Sequence, residues 1–259
     1  MPVLVKLPSF WADRLKASGI HLGLSLCIAA LAGLLVFGVW YPYPYREISG
    51  GRELFFLVVT VDVILGPLIT LAIFNRSKPW VSLRRDLAVV ALLQLGALGY
   101  GLWTVSVARP VHLVFEKDRF RIVHAIEVDP LLLPKVVAAL PVMPWMGPSL
   151  LSLRDYKDDK EKSDVMFAEI AGNPVGARPD FWQSYDPAKS DVLHKARPVA
   201  ELKTRFPAQA MVIDRVLTES GRNADNTVFL PLVGRNQFWT VFLDPITAQP
   251  VAYLPLDPF

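Results

Sequence analysis

Apolar positions dominate the first 107 residues and thin out abruptly after them. Three long runs stand out: "IHLGLSLCIAALAGLLVFGVW" (Ile20–Trp40), "LFFLVVTVDVILGPLITLAIF" (Leu54–Phe74) and "LAVVALLQLGALGYGLWTVSV" (Leu87–Val107). Each holds about 21 residues, which at 1.5 Å per residue crosses a hydrocarbon core of roughly 30 Å. They predict three transmembrane helices, at about 20–40, 54–74 and 87–107, forming a membrane domain over 20–107 behind an N-terminal segment at 1–19. The first run is too long for the apolar core of a cleaved signal. It is followed by "WYPYPYR" rather than a small-x-small site, so it reads as a retained helix.

After residue 108 the period shortens. In "RPVHLVFEKDRFRIV", Leu113 and Phe115, then Phe120 and Ile122, alternate around the turn "EKD", which predicts a β-hairpin. The final stretch "TVFLPLVGRNQFWTVFLDPITAQPVAYLPLD" predicts two or three more strands, with "GRNQ" and "DPITAQ" as turns. Between these ends, prolines break the chain from Pro130 to Pro148, leaving room for a short helix at about Pro134–Leu140. "LRDYKDDKEKSDVMFAEIAG" predicts a charged surface helix ending near Gly172, and "PAKSDVLHKA" and "PVAELKTRF" predict shorter ones. The order of strands, helices and strands predicts an α+β domain over 108–259 with an antiparallel sheet.

Charge orients the helices. Lys6, Arg14 and Lys16 precede the first, and Arg76, Lys78, Arg84 and Arg85 lie between the second and third. The first connection balances two arginines with two glutamates. A Lys/Arg excess marks the cytoplasmic side, so the N-terminus is expected in the cytoplasm and the C-terminal domain in the periplasm of a bacterial inner membrane. Trp40, Tyr41, Tyr43, Tyr45 and Trp103 would mark one interface, and Phe74 and Trp80 the other. Residues 1–107 hold nine Lys/Arg and five Asp/Glu, against 18 and 19 in the remainder, so the soluble part has no basic excess of the kind that binds nucleic acid. The basic loops suit topology and anionic headgroups.

Candidate chemistry is sparse. The four histidines form no metal-ligand spacing, Cys27 is alone, and no nucleophile elbow, P-loop or dinucleotide fingerprint occurs. The expectation is a protein without metal, cofactor, catalytic residues or small-molecule substrate. The polar exception is "VDVILGPLIT", where Asp62 lies inside a membrane run and Gly66-Pro67 interrupts it. A charged aspartate at mid-helix costs roughly 2.5–3.5 kcal/mol, so it must be neutral, inward-facing or paired. Counting rise along antiparallel helices puts Asp62 about 12 Å and Tyr100 roughly 10 Å below the same edge, with Gln94 roughly 7 Å deeper. Tyr100 is therefore the expected partner. Three roles stay open for Asp62: a helix-to-helix tie, partner binding, or ion or proton transport. Pro67 removes a backbone bond and predicts a kink, whose freed carbonyls need a donor from a neighbouring helix or water. Ala97 and Gly101 offer a small-residue surface for close approach.

"FFLVVTVDVILGPLITLAIFN", "LRRDLAVVALLQLGALGYGLWTVSVARPVHLVFEKDRFRIV" and "LDPITAQPVAYLPL" together resemble the type IV pilin accessory proteins of the TfpX/TfpZ family, and "WYPYPYREISGG" resembles that family's first loop. The likeness is close over the three helices and the hairpin and looser to the end. It implies a non-enzymatic inner-membrane accessory or chaperone that helps stabilise or assemble a type IV pilin. The implied partners are the pilin, the bilayer and other pilus assembly proteins. The alternative is a membrane sensor or small transporter built around Asp62. A third class, an anchored periplasmic enzyme, requires a deep pocket with convergent polar groups in the soluble part.

Overall fold

The computed structural model describes residues 7–137 and 140–259. Three helices are long and apolar enough to cross a membrane, at Trp11–Trp40, Gly51–Ile73 and Trp80–Val107. The chain divides into two compact units. One takes the chain up to Val39 and Gly50–Ser106; the other takes Trp40–Ser49 and Val107–Phe259.

In the first unit, α1 (Leu7–Leu35) ends in a wider π turn at Val36–Trp40. The second apolar helix is interrupted. It begins as α3 (Gly51–Thr60), after the one-turn α2 (Tyr45–Ile48) of the connecting loop, widens to a π turn at Val61–Leu65, and resumes as α4 (Gly66–Ile73). Gly50 opens it with a positive φ of 70°. The third helix is α5 (Trp80–Val107). The second helix packs on α1 through one face. There Phe37 meets Phe55 edge to face, the Ser18 hydroxyl donates to the Pro67 carbonyl at 2.9 Å, and His21 Nδ1 lies 2.5 Å from the Thr70 hydroxyl.

The second unit holds an eight-stranded sheet. Its strands are β1 (Pro110–Glu116), β2 (Arg119–His124), β3 (Ser149–Leu153), β4 (Trp182–Ser184), β5 (Arg197–Pro198), β6 (Val228–Val233), β7 (Phe238–Leu243) and β8 (Pro250–Leu254). The order is β4-β3-β1-β2-β6-β7-β8, with β5 pairing β6. The expected hairpin is β1–β2, with Leu113 opposite Ile122 and Phe115 opposite Phe120. The sheet is mostly antiparallel, as expected, with two parallel pairs, β1–β3 and β2–β6. The cause is chain return. Each parallel partner is reached by a long crossover, a connection that parallel pairing requires.

Four α-helices lie between β3 and β6: α6 (Asp159–Ile170), capped by Asp158, α7 (Lys189–Lys195), α8 (Val199–Arg205) and α9 (Ala210–Glu219). Alternation along β6 sends Leu230 and Leu232 to one face and Phe229 to the other. The first face packs Phe115, Phe120, Trp239, Val241 and α7, and the second packs α8 and α9. Of the helix expected at Pro134–Leu140, residues 138–139 lie outside the described residues, and the described part holds a 3-10 segment at Pro130–Lys135.

The first loop corrects the sequence reading. Its tyrosines were expected as an interfacial belt within the membrane domain. Instead Tyr41 is fully buried in the C-terminal unit, and Tyr45 and Ile48 join the core of the first sheet face. A Cβ on Gly234 would lie 2.6 Å from Ile48, so only glycine at the end of β6 leaves room for that loop. Tyr43 alone of the three stays exposed.

His112 is buried on β1. Its Nε2 donates to the Val142 carbonyl at 3.1 Å, and its Nδ1 faces the Ser149 hydroxyl at 2.6 Å. Burial lowers its pKa from the usual 6.5 to about 4. The folded state thus resists a proton that the unfolded chain accepts. Stability of the C-terminal unit is full above pH 6.5 and falls as pH drops towards 4, by at most about 1.4 kcal/mol per unit. Urea unfolding of the protein in detergent, followed across this range, should show the fall, and His112→Gln should flatten it.

Candidate functional site

The polar centre of the membrane unit is a pair formed by Asp62 and Gln94. Gln94 Nε2 donates to Asp62 Oδ1 at 3.2 Å and to the Asp62 backbone carbonyl at 3.3 Å. The second contact follows from the proline. In a π turn the carbonyl of residue i accepts from the N–H of i+5. For Asp62 that donor would be residue 67, a proline with no N–H. The Gln94 amide therefore serves both the acid and a carbonyl that Pro67 cannot serve. This matches the expectation that a neighbouring helix supplies the missing donor, and π turns of this kind recur at functional positions.

Tyr100 is not the partner. It is 69% exposed, and its ring packs against Trp103. The level count came close, but level is only half of the geometry. At about 100° per residue, Gln94 and Gly101 fall on one face of α5, whereas Tyr100 lies about 100° away from Gly101. Glutamine also has the length to reach back along the helix by a turn.

Close approach elsewhere on this seam rests on small residues. A Cβ on Gly101 would sit 2.5 Å from a Val58 methyl, and a Cβ on Gly66 would sit 1.8 Å from Gln94 Nε2. Gly66 thus makes room for the amide that holds Asp62. Between the second and third helices runs a groove of about 360 Å³. Its wall on the second helix is Leu54, Leu57, Val58, Val61, Asp62, Leu65, Gly66 and Ile69, which follows the three- and four-residue spacing of one helical face. Four of the five singled-out residues, Asp62, Gly66, Gln94 and Tyr100, line it, while Pro67 turns its carbonyl to α1.

The C-terminal unit has a cavity of about 620 Å³ that the sequence reading did not locate. At its floor Glu116, nearly buried, accepts from Arg121 Nε at 2.7 Å and from the Gly176 N–H at 3.2 Å. Burial pushes the Glu116 carboxyl above its usual range, against the pull of Arg121. Lys117, Arg119 and Arg235 stand around it with Glu127 and Glu169. Lys117 and Glu169 pair at 3.1 Å, and Arg119 pairs with Asp118 at 2.7 Å. Most of these charges are thus already matched inside the molecule. Among the described residues no group of three or more His, Cys, Asp or Glu is placed to hold a metal ion.

Three helices long and apolar enough to cross a membrane, with one acid–amide pair between the second and third, precede an α+β unit on a mixed sheet, the arrangement of a membrane protein with a folded C-terminal unit. The chain belongs to the fimbrial assembly protein family. It is 35% identical over 231 residues to the fimbrial assembly protein of serogroup I from Dichelobacter nodosus, a match covering 88% of this chain and 90% of that relative. The serogroup E1 protein of the same organism is 35% identical over 232 residues, with the same coverage. The protein of serogroups C1 and C2 is 46% identical over 107 residues, 41% of this chain and 82% of that relative. The family model described as fimbrial assembly protein FimB matches residues 9–50, the first apolar helix and the loop after it. No solved structure matches the chain.

Two outcomes follow for the seam. Asp62→Asn keeps an oxygen that accepts from Gln94, so assembled fimbriae, counted by electron microscopy, should stay near wild-type number. Asp62→Leu severs the bond, at a cost of about 0.6–1.7 kcal/mol, and should lower the count; an Asn variant as defective as Leu would make the charge itself the function. Gly101→Leu overpacks Val58 and should destabilise the unit by about 1–3 kcal/mol. Gly99→Leu, at a position with nothing within 4 Å, should not. Thermal unfolding in detergent separates the two.

Proposed function

We propose that this protein is a non-enzymatic accessory of type IV fimbrial assembly, of the TfpX/TfpZ kind, which holds a pilin in the inner membrane before the pilin enters the fibre. The groove between the second and third helices carries this reading. It is apolar over most of its length, floored by Gly66, Ala97 and Gly101, and offers one polar point at Asp62–Gln94. Those are the properties a second apolar helix needs in lipid: close backbone approach and a single hydrogen-bonding position that fixes register. The relatives named as fimbrial assembly proteins support the process. The Lys/Arg excess before the first helix and between the second and third supports an N-terminus in the cytoplasm and a periplasmic C-terminal unit, on the side where a pilin's head would stand.

The soluble cavity favours this reading over an anchored enzyme. Glu116 pairs with Arg121 and Glu169 with Lys117, and although Glu127 meets His124 Nδ1 at 3.2 Å, no serine or cysteine is among the lining residues to act as the nucleophile of such a pair. The test is photocrosslinking in cells from a benzophenone amino acid at Leu57 or Leu93, both in the groove, and at Leu31 on α1 as a control. The groove positions should give a covalent adduct with the pilin and Leu31 should not. Equal adducts from all three, or none from the groove, would overturn the proposal.

A further inference from the structure

The segment "VMPWM", Val142–Met146, is exposed yet apolar. Trp145 is 58% exposed and Met146 76%, and Val142 and Met143 are also open. No charged residue occurs anywhere between Lys135 and Arg154. A stretch this apolar and this free of charge is a liability on a surface that faces water alone.

The segment is also fixed in place. At its start the Val142 carbonyl accepts from buried His112. At its end Gly147, with φ of 57°, packs beside Pro42, 3.4 Å from the position of its absent Cβ. In between, the Trp145 ring meets Trp40 edge to face, with centroids 5.4 Å apart, and Arg109 lies 5.7 Å from the same ring. All these residues belong to the C-terminal unit. Two of them report on the membrane. Trp40 is the last residue of the first apolar span, and Arg109 stands two residues after Val107, the last of the third. Both spans end on the same side, because the second helix runs back between them. Trp145 therefore packs on the residue that ends the first span and beside the arginine that follows the third, at the level of a span end.

That level is where tryptophan is enriched in membrane proteins, since its ring suits the boundary between acyl chains and headgroups. We propose that Val142–Met146 is a lipid-inserting element. It places Trp145 and the methionine side chains in the interfacial layer of the leaflet where the first and third helices emerge, and so fixes the C-terminal unit against the bilayer surface. The occupant of this apolar surface is lipid, and the fold needs no fimbrial subunit for the contact.

The test uses the full chain with Cys27, the only cysteine, replaced by Ser. Met146→Cys carries a nitroxide label, and Met143→Cys provides a second reporter. Ile170→Cys on α6 and Ile246→Cys in the β7–β8 turn, both highly exposed, are controls. Each protein is placed in nanodiscs of phosphatidylethanolamine and phosphatidylglycerol, with no other protein present. Labels at 143 and 146 should be relaxed several-fold more by oxygen, relative to a water-soluble nickel chelate, than labels at 170 and 246. Unchanged near-ultraviolet circular dichroism verifies the fold of each labelled protein. If 143 and 146 give the aqueous ratio of the controls, the element does not insert and the proposal fails. Protection that arises only on adding pilin would also overturn it, since the surface would then be a protein contact. Because the discs hold lipid alone, this outcome is independent of whether the groove binds a pilin.

Discussion

One side chain, the Gln94 amide, answers two needs that the second helix creates for itself. An aspartate in lipid needs a donor, and a carbonyl left without its N–H by proline needs another. Both groups belong to Asp62, and Gln94 reaches both from the third helix. The rest of the membrane unit follows from this arrangement. The π turn at Val61–Leu65 turns Asp62 towards α5. Gly66 is small because the amide occupies the space its side chain would fill, and Gly101 is small because Val58 comes close a few turns away. The opposite face of the same helix is left to α1, where Ser18 takes up the Pro67 carbonyl. The second helix is thus tied to both neighbours by polar contacts and packed by small residues, a pattern suited to lipid, where hydrophobic burial gives no advantage between helices.

Much of this architecture was legible from periodicity. The three spans, the β1–β2 hairpin and the last strands each repeat with one period over several residues, whereas the charged helix before Gly172 was marked by its composition and its closing glycine. Asp62, Gly66 and Pro67 were visible as breaks in an apolar run. The choice between Gln94 and Tyr100 was not, because depth along a helix can be counted but the facing side depends on how two helices are rotated against each other. The burial of Tyr41, Tyr45 and Ile48 was hidden for a similar reason. Aromatic residues beside a span fit both a membrane interface and a soluble core, and the deciding contact, Ile48 on Gly234, joins positions far apart in sequence. β3 was masked by the prolines before it, and its parallel pairing with β1 is a long-range fact that local pattern does not encode.

The C-terminal unit carries its charge differently. Glu116, Glu161 and Asp244 are held by arginines and by backbone N–H groups. Glu161 and Asp244 titrate near 2, Glu161 chiefly because Arg154 grips it and Asp244 because the Thr247 and Ile246 N–H groups donate to it. Charges matched in this way hold the loops and helix ends of the unit in place. The two units thus differ in what holds them, small-residue packing with a few polar ties in one and matched charges in the other, in line with the uneven spread of apolar residues along the chain.

The register of the second and third helices underlies the rest of the membrane unit, and cysteine pairing in native membranes measures it. A Cβ at position 101 lies 3.1 Å from the Val58 Cβ, close to the ~3.8 Å of a disulfide. In a Cys27→Ser background, Val58→Cys with Gly101→Cys should oxidise readily to an intramolecular bridge, while Asp62→Cys with Tyr100→Cys should not. A bridge between 62 and 100 with none between 58 and 101 would overturn this register, because Asp62 would then face Tyr100 in place of Gln94.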